Sequence, residues 1–107
     1  MLTIPEIREK VTKVCKKYDV KSAYLFGSYA KNTATENSDV DLILDTGNIK
    51  KYKDYFHLCD ELEAELGTEV DVTSEEGMRP GFFELIKNER ILLWRFSYNK
   101  SVKRQTI

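Results

Sequence analysis

Two stretches of this chain carry side chains suited to phosphate chemistry: Gly27-Ser28-Tyr29-Ala30-Lys31 and Ser38-Asp39-Val40-Asp41-Leu42. In the first, an apolar run stops at Gly27, where backbone without a Cβ can approach a ligand closely. Ser28 adds a hydroxyl, Lys31 adds a positive charge, and free N–H groups at such a turn suit a phosphate. Taken alone, the same residues also read as a plain strand-to-helix turn with Ser28 as its cap. In the second stretch, residues i and i+2 of a strand face the same way, so Asp39 and Asp41 present two carboxylates side by side. Such like charges repel unless something compensates them, and a divalent cation with a taste for hard oxygen ligands does so directly. The plain alternative places Asp39 in the turn after Ser38 and points Asp41 at solvent. Asp71, in Glu69-Val70-Asp71-Val72, is a third carboxylate that sheet pairing can bring beside the first two. Glu69 shares its face by the i+2 rule and is a weaker candidate.

The surrounding sequence supplies the elements that must hold these residues. Thr3-Ile4-Pro5-Glu6 reads as a capping box, and Ile4, Ile7, Val11, Val14 and Tyr18 make one apolar helix face ending near Asp19. Ser22–Phe26 reads as a buried strand, Ser28–Lys31 as a short helix and Val40–Leu44 as a second strand. That strand ends at the turn Asp45-Thr46-Gly47-Asn48. Tyr55, Leu58, Cys59, Leu62 and Leu66 predict another helix, capped by Gly67. Glu69–Val72 is a third strand. Pro80 is expected to open a helix carrying Phe82, Phe83, Leu85 and Ile86, with Asn88 ending it in a left-handed turn. Ile91–Trp94 is a fourth strand or the end of that helix, which periodicity does not decide. The tail from Ser97, with Lys100, Lys103 and Arg104, is expected to fray. The order implies an α/β (α+β) layer arrangement, helices on a small sheet. A phosphate-suited turn, a strand with paired carboxylates and a later carboxylate strand together match what Mg²⁺-dependent nucleotidyl transfer requires.

Composition narrows the field. At 107 residues, 12.5 kDa and 41% apolar, the chain is read as one globular domain over 1–107. Its net charge of −1 gives no bulk drive onto nucleic acid. No apolar run approaches a membrane span, and the start lacks the look of a signal peptide. Two cysteines, Cys15 and Cys59, read as reduced thiols of a cytoplasmic protein. With one histidine, His57, a His/Cys metal cluster is excluded, so carboxylates must hold any metal.

The two-part motif Gly27-Ser28-x-Ala30-Lys31 and Ser38-Asp39-x-Asp41-Leu42 resembles the signature of the DNA polymerase beta-type nucleotidyltransferase superfamily. In length the chain is similar to its minimal nucleotidyltransferases, the MNT proteins, over roughly residues 3 to 95. The run from Arg79-Pro80 through Leu85-Ile86 to Trp94 is similar to the family's closing helix and strand. The resemblance implies a small mixed β-sheet flanked by helices. It implies Asp39 and Asp41 as metal ligands and Asp71 as third ligand or base for the acceptor hydroxyl. It also implies Gly27 and Ser28 at the terminal phosphates, with Mg²⁺ as cofactor at a two-metal site and ATP as donor. Many minimal members are antitoxins of HEPN-domain toxins, which implies such a toxin as partner and as the protein that receives AMP. Lys31-Asn32 stands where the family often has Arg-Gly: Lys keeps the charge and loses the bidentate fork, and Asn tolerates a left-handed backbone.

So short a chain leaves no room for a second domain to hold the acceptor. A partner, a second copy in a homo- or hetero-oligomer, or the substrate itself must complete the site. Most aromatics are expected in the core, while Tyr52, Phe56 or Phe83 are candidates for a partner-facing patch. Two other readings stand beside protein adenylylation: a binding module that neutralises its partner by covering it, and a transferase acting on RNA ends or a small-molecule hydroxyl.

Overall fold

The computed structural model describes residues 1–47, 49, 51–75 and 78–96. Helix α1 runs Ile4–Tyr18 and begins with the capping box. Thr3 Oγ1 accepts from the Glu6 N–H at 3.2 Å, and Glu6 Oε1 accepts from the Thr3 N–H at 3.0 Å. The helix ends at Asp19, which is left-handed at φ 55°. Strand β1 is Ser22–Phe26, α2 is the single turn Gly27–Ala30, and β2 is Val40–Asp45. Helix α3 is Tyr52–Leu66, β3 is Val70–Ser74, α4 is Phe82–Leu85 and β4 is Ile91–Arg95.

The four strands form one mixed sheet in the order β3-β2-β1-β4. β1 pairs antiparallel with β2 and β4, and β2 pairs parallel with β3. Alternation along the strands gives the sheet two unlike faces. Ala23, Leu25, Val40, Leu42 and Leu44 join Ile7, Val11 and Val14 of α1 and Leu58, Leu62 and Leu66 of α3 in the main core. On the other face, Tyr24 and Ile43 pack with Ile86, and Phe26, Met78 and Phe83 lean on them. This second cluster is thin, so the face it covers stays largely open, and Asp41 lies on it.

The structure settles several expectations. Ile91–Arg95 is a strand, not the end of a helix, and β1 receives it as an edge partner. Trp94 is tied there by its Nε1–H, which donates to the Val20 carbonyl at 2.7 Å. Gly67 caps α3 at φ 69° as expected. Helix α3 begins at Tyr52, three residues before its apolar face does, and β3 continues to Ser74. The helix predicted from Pro80 is one turn only, entered from left-handed Gly81 at φ 86°. Asn88 does not end it in a left-handed turn: among the described residues the non-glycine positions with positive φ are Asp19 and Asn32. Four residues hold too few hydrogen bonds to propagate, and Phe83 and Ile86 seat the segment by packing instead. Asn48, part of the expected turn after β2, and the tail from Ser97 lie outside the described residues. Both cysteines are free, and burial pushes the Cys15 thiol up to about 12. No helix among the described residues is long and apolar enough to cross a membrane.

Candidate nucleotide site

Three backbone registers build the site. Phe26 stands opposite Asp41 across the antiparallel β1–β2 pair, so the chain turns at Gly27 beside that carboxylate. Asp41 stands opposite Asp71 across the parallel β2–β3 pair. Asp39, exposed and just outside β2, stands two residues before Asp41, and its charge acts on that carboxyl. Sheet pairing therefore sets Asp41 beside Asp71, and Asp39 leads into the same strand end.

Gly27 is required twice over. Its φ is +73°, a region that residues with a Cβ avoid. A Cβ there would stand 3.0 Å from Asp41 Cγ and 3.3 Å from its Cβ, and closer still to Oδ2. The glycine thus lets the Asp41 carboxylate lie against bare backbone. Ser28 does not cap α2: the cap position is Phe26, and no side chain closes the helix start. The turn is held by Lys31 N–H donating to the Gly27 carbonyl at 3.0 Å and Thr33 N–H to the Ser28 carbonyl at 2.9 Å. Asn32, at φ 60°, makes the left-handed step between them.

The Asp41 carboxyl is held above its usual range, first by burial, then by the charges of Asp71 and Asp39. Neutralising that field is what a divalent cation does, and the donor set is all hard oxygen, which fits Mg²⁺. As they stand, no three His, Cys, Asp or Glu side chains among the described residues are gathered closely enough to hold a metal ion. Asp39 and Asp71 are exposed, and Asp41 is half-buried beside them.

Other predicted residues fall less close. Glu69 is exposed at the entry to β3, and its carbonyl accepts from the Val40 N–H at 3.1 Å. Lys31 Nζ reaches across to Glu89 Oε1 at 3.8 Å. Tyr52 and Phe56 are 83% and 60% exposed, so these two aromatics are not core. Phe83 packs edge-on against Tyr24 with ring centroids 5.3 Å apart. Two grooves of about 380 and 400 Å³ lie by Met1, Leu2 and Tyr29, and none of the three carboxylates lines them. Sequence reasoning missed Glu89 and Arg90. The Arg90 guanidinium lies 3.8 Å from the Phe83 ring centre and 5.1 Å from that of Tyr24. Its Nη1 donates to the Phe83 carbonyl at 2.6 Å. The alternation of Tyr24 and Phe26 on one strand face was the available signal that something must cover that face.

The polymerase beta nucleotidyltransferase family model matches residues 9–99. The chain belongs to this family. It is a nucleotidyltransferase, and its substrate includes a nucleotide. A Methanocaldococcus jannaschii protein provisionally named a protein adenylyltransferase is 39% identical over 90 residues, 84% of this chain and 97% of that one. Protein adenylyltransferase MntA of Thermococcus cleftensis is 31% identical over 93 residues, 83% and 94% of the two chains. A solved structure of the tri-AMPylated Shewanella oneidensis HEPN toxin in complex with MNT antitoxin superimposes with a TM-score of 0.62 at 17% identity. It covers 90% of this chain and 76% of that one, and at this identity the likeness speaks for the fold alone.

Proposed function

We propose that this nucleotidyltransferase is a Mg²⁺-dependent protein adenylyltransferase that moves AMP from ATP to a hydroxyl of a partner protein, a HEPN-type toxin for which it serves as antitoxin in the cytoplasm. The observation that supports the reading is the parallel pairing of Asp41 with Asp71, with the Asp41 carboxylate lying against the Gly27 backbone. The names of the two relatives support the adenylyl donor and the protein acceptor. The complex of similar fold supports the toxin partner.

Asp39, Asp41 and Asp71 would hold Mg²⁺, which when bound would neutralise the triphosphate and lower the pKa of the acceptor hydroxyl. Gly27 opens the backbone to the terminal phosphates, the Ser28 hydroxyl donates to them, and Lys31 brings a positive charge. Asp71, at the sheet's edge strand, accepts the acceptor's proton as its oxygen bonds to the α-phosphorus. The bond between the α-phosphorus and the bridging oxygen breaks, and pyrophosphate leaves. With no second domain on the described fold, the open face itself receives the acceptor.

Label transfer from α-labelled ATP with Mg²⁺ into a lysate of the source organism tests this. Label on one protein band, lost with Asp39→Asn, is the expected result. Label on RNA or on a small molecule would move the acceptor to that class. The exposed Tyr52 and Phe56 favour a second reading, a module that neutralises its partner by covering it. In that case an Asp39/Asp41 double variant still protects against the partner.

A further inference from the structure

Lys31 and Glu89 come from two turns at the same end of neighbouring strands, where Leu25 of β1 pairs with Ile91 of β4. Lys31 ends the α2 turn and Glu89 lies in the tight turn before β4, and their charged atoms stand 3.8 Å apart. Both side chains are about half exposed, at 53% and 51%, so neither is trapped there by packing. What holds the pair together is the backbone on each side. Lys31 is fixed by its own N–H to the Gly27 carbonyl and by the Thr33 hook to Ser28. Glu89 N–H donates to the Ile86 carbonyl at 2.8 Å, and Arg90 N–H to the same carbonyl at 3.1 Å. Ile86 is buried in the second cluster, and Arg90 is clamped to Phe83. Glu89 is therefore a carboxylate on a rigid post, aimed at the one basic side chain of the Gly27–Lys31 turn.

We propose that Glu89 is the built-in counter-ion of Lys31: it occupies the ammonium in the nucleotide-free protein and yields it when a nucleoside triphosphate arrives. The inference rests on the reading of Lys31 as a triphosphate contact. Glu89 is a positioning residue that acts through Lys31 and does not touch the reacting atoms. It sets a threshold for nucleotide entry, because a triphosphate must compete with a carboxylate already in place. It also ties the α4–β4 turn to the α2 turn before binding and releases it afterwards. An exposed pair of this kind contributes up to about 1 kcal/mol, so freeing Lys31 is worth about two- to fivefold in nucleotide affinity.

The test is a double-mutant cycle read by calorimetric binding of ATP with Mg²⁺. Glu89→Gln is expected to tighten the Kd about two- to fivefold, and Lys31→Gln to weaken it. In the Lys31→Gln background, Glu89→Gln is expected to change nothing. Inorganic tripolyphosphate with Mg²⁺ should repeat the pattern, since the base plays no part. Unchanged or weaker binding by Glu89→Gln overturns the inference. Equal tightening in the Lys31→Gln background also overturns it, since the effect would then be the general field of one carboxylate. If the unaltered protein binds neither ligand, the nucleotide-site reading itself fails, an outcome distinct from loss of coupling. Thermal unfolding of each variant confirms that the half-exposed substitutions leave the fold intact.

Discussion

Replacing Gly27 by alanine should separate what this position does for the backbone from what it does for the site. Two costs are predicted. A left-handed φ of +73° strains any residue with a Cβ by about 1–2 kcal/mol. The added methyl would also overlap Asp41 Oδ2, with Cγ only 3.0 Å away, so the carboxylate must swing aside by on the order of an ångström. Gly67 supplies the control. Its φ of +69° is nearly the same, and a Cβ there meets nothing within 4 Å. Both variants should therefore lose about 1–2 kcal/mol, and at about 4–8 °C per kcal/mol both melting temperatures fall by about 5–15 °C. Only Gly27→Ala should lose activity, by about 100-fold in kcat/KM, the scale of an ångström misplacement of a reacting group. The assay is AMP transfer from labelled ATP below both melting points, paired with thermal unfolding. Equal activity in the two variants would refute the claim that Gly27 makes room for the Asp41 carboxylate.

Three further outcomes follow from the same geometry. Because the folded-state Asp41 pKa is raised, the stability this group contributes is full at acid pH and lost as pH rises through that value. Asp41→Asn should therefore stabilise the chelator-treated protein at neutral pH, with the gain shrinking toward acid in pH-dependent denaturation; a gain that grows toward acid has the wrong sign. Mg²⁺ with ATP at about 100 times Kd should add about 2.7 kcal/mol by linkage. A thermal-shift assay should show this increment disappear in Asp39→Asn and Asp71→Asn, and its persistence in both would remove the carboxylates from the site. At Asn32, where φ is 60°, alanine should cost about 1 kcal/mol or more while glycine leaves stability unchanged or improved. Denaturant melts of the pair decide this, and alanine as stable as glycine would show that the turn does not need the left-handed step.

Much of the site was legible because its chemistry is local. Gly27-Ser28 sits where an apolar run must end, and Asp39 and Asp41 stand two residues apart at the start of β2, with Asp39 just outside it. Thr3 and Glu6 close their capping box within one turn, and Gly67 stands where α3 runs out of apolar positions. These features depend on neighbours three or four residues away, so the order of residues determines them.

The remainder was decided by pairing at a distance. Asp71 joins the site only because β3 lies parallel to β2 in a register that sets it against Asp41. A slip of one residue would turn it to the other face. Ile91–Trp94 fits a helix or a strand by pattern, and the free edge of β1 chose the strand. Tyr52 and Phe56 carry the types of a core and lie exposed, because α3 turns Leu58, Leu62 and Leu66 inward instead. The Lys31–Glu89 pair joins two turns far apart in the chain, brought within reach by the antiparallel pairing of β1 with β4. Side-chain type and short spacing thus determined the candidate groups. Strand register, which depends on the whole sheet burying its apolar face at once, decided that Asp41 stands beside Asp71.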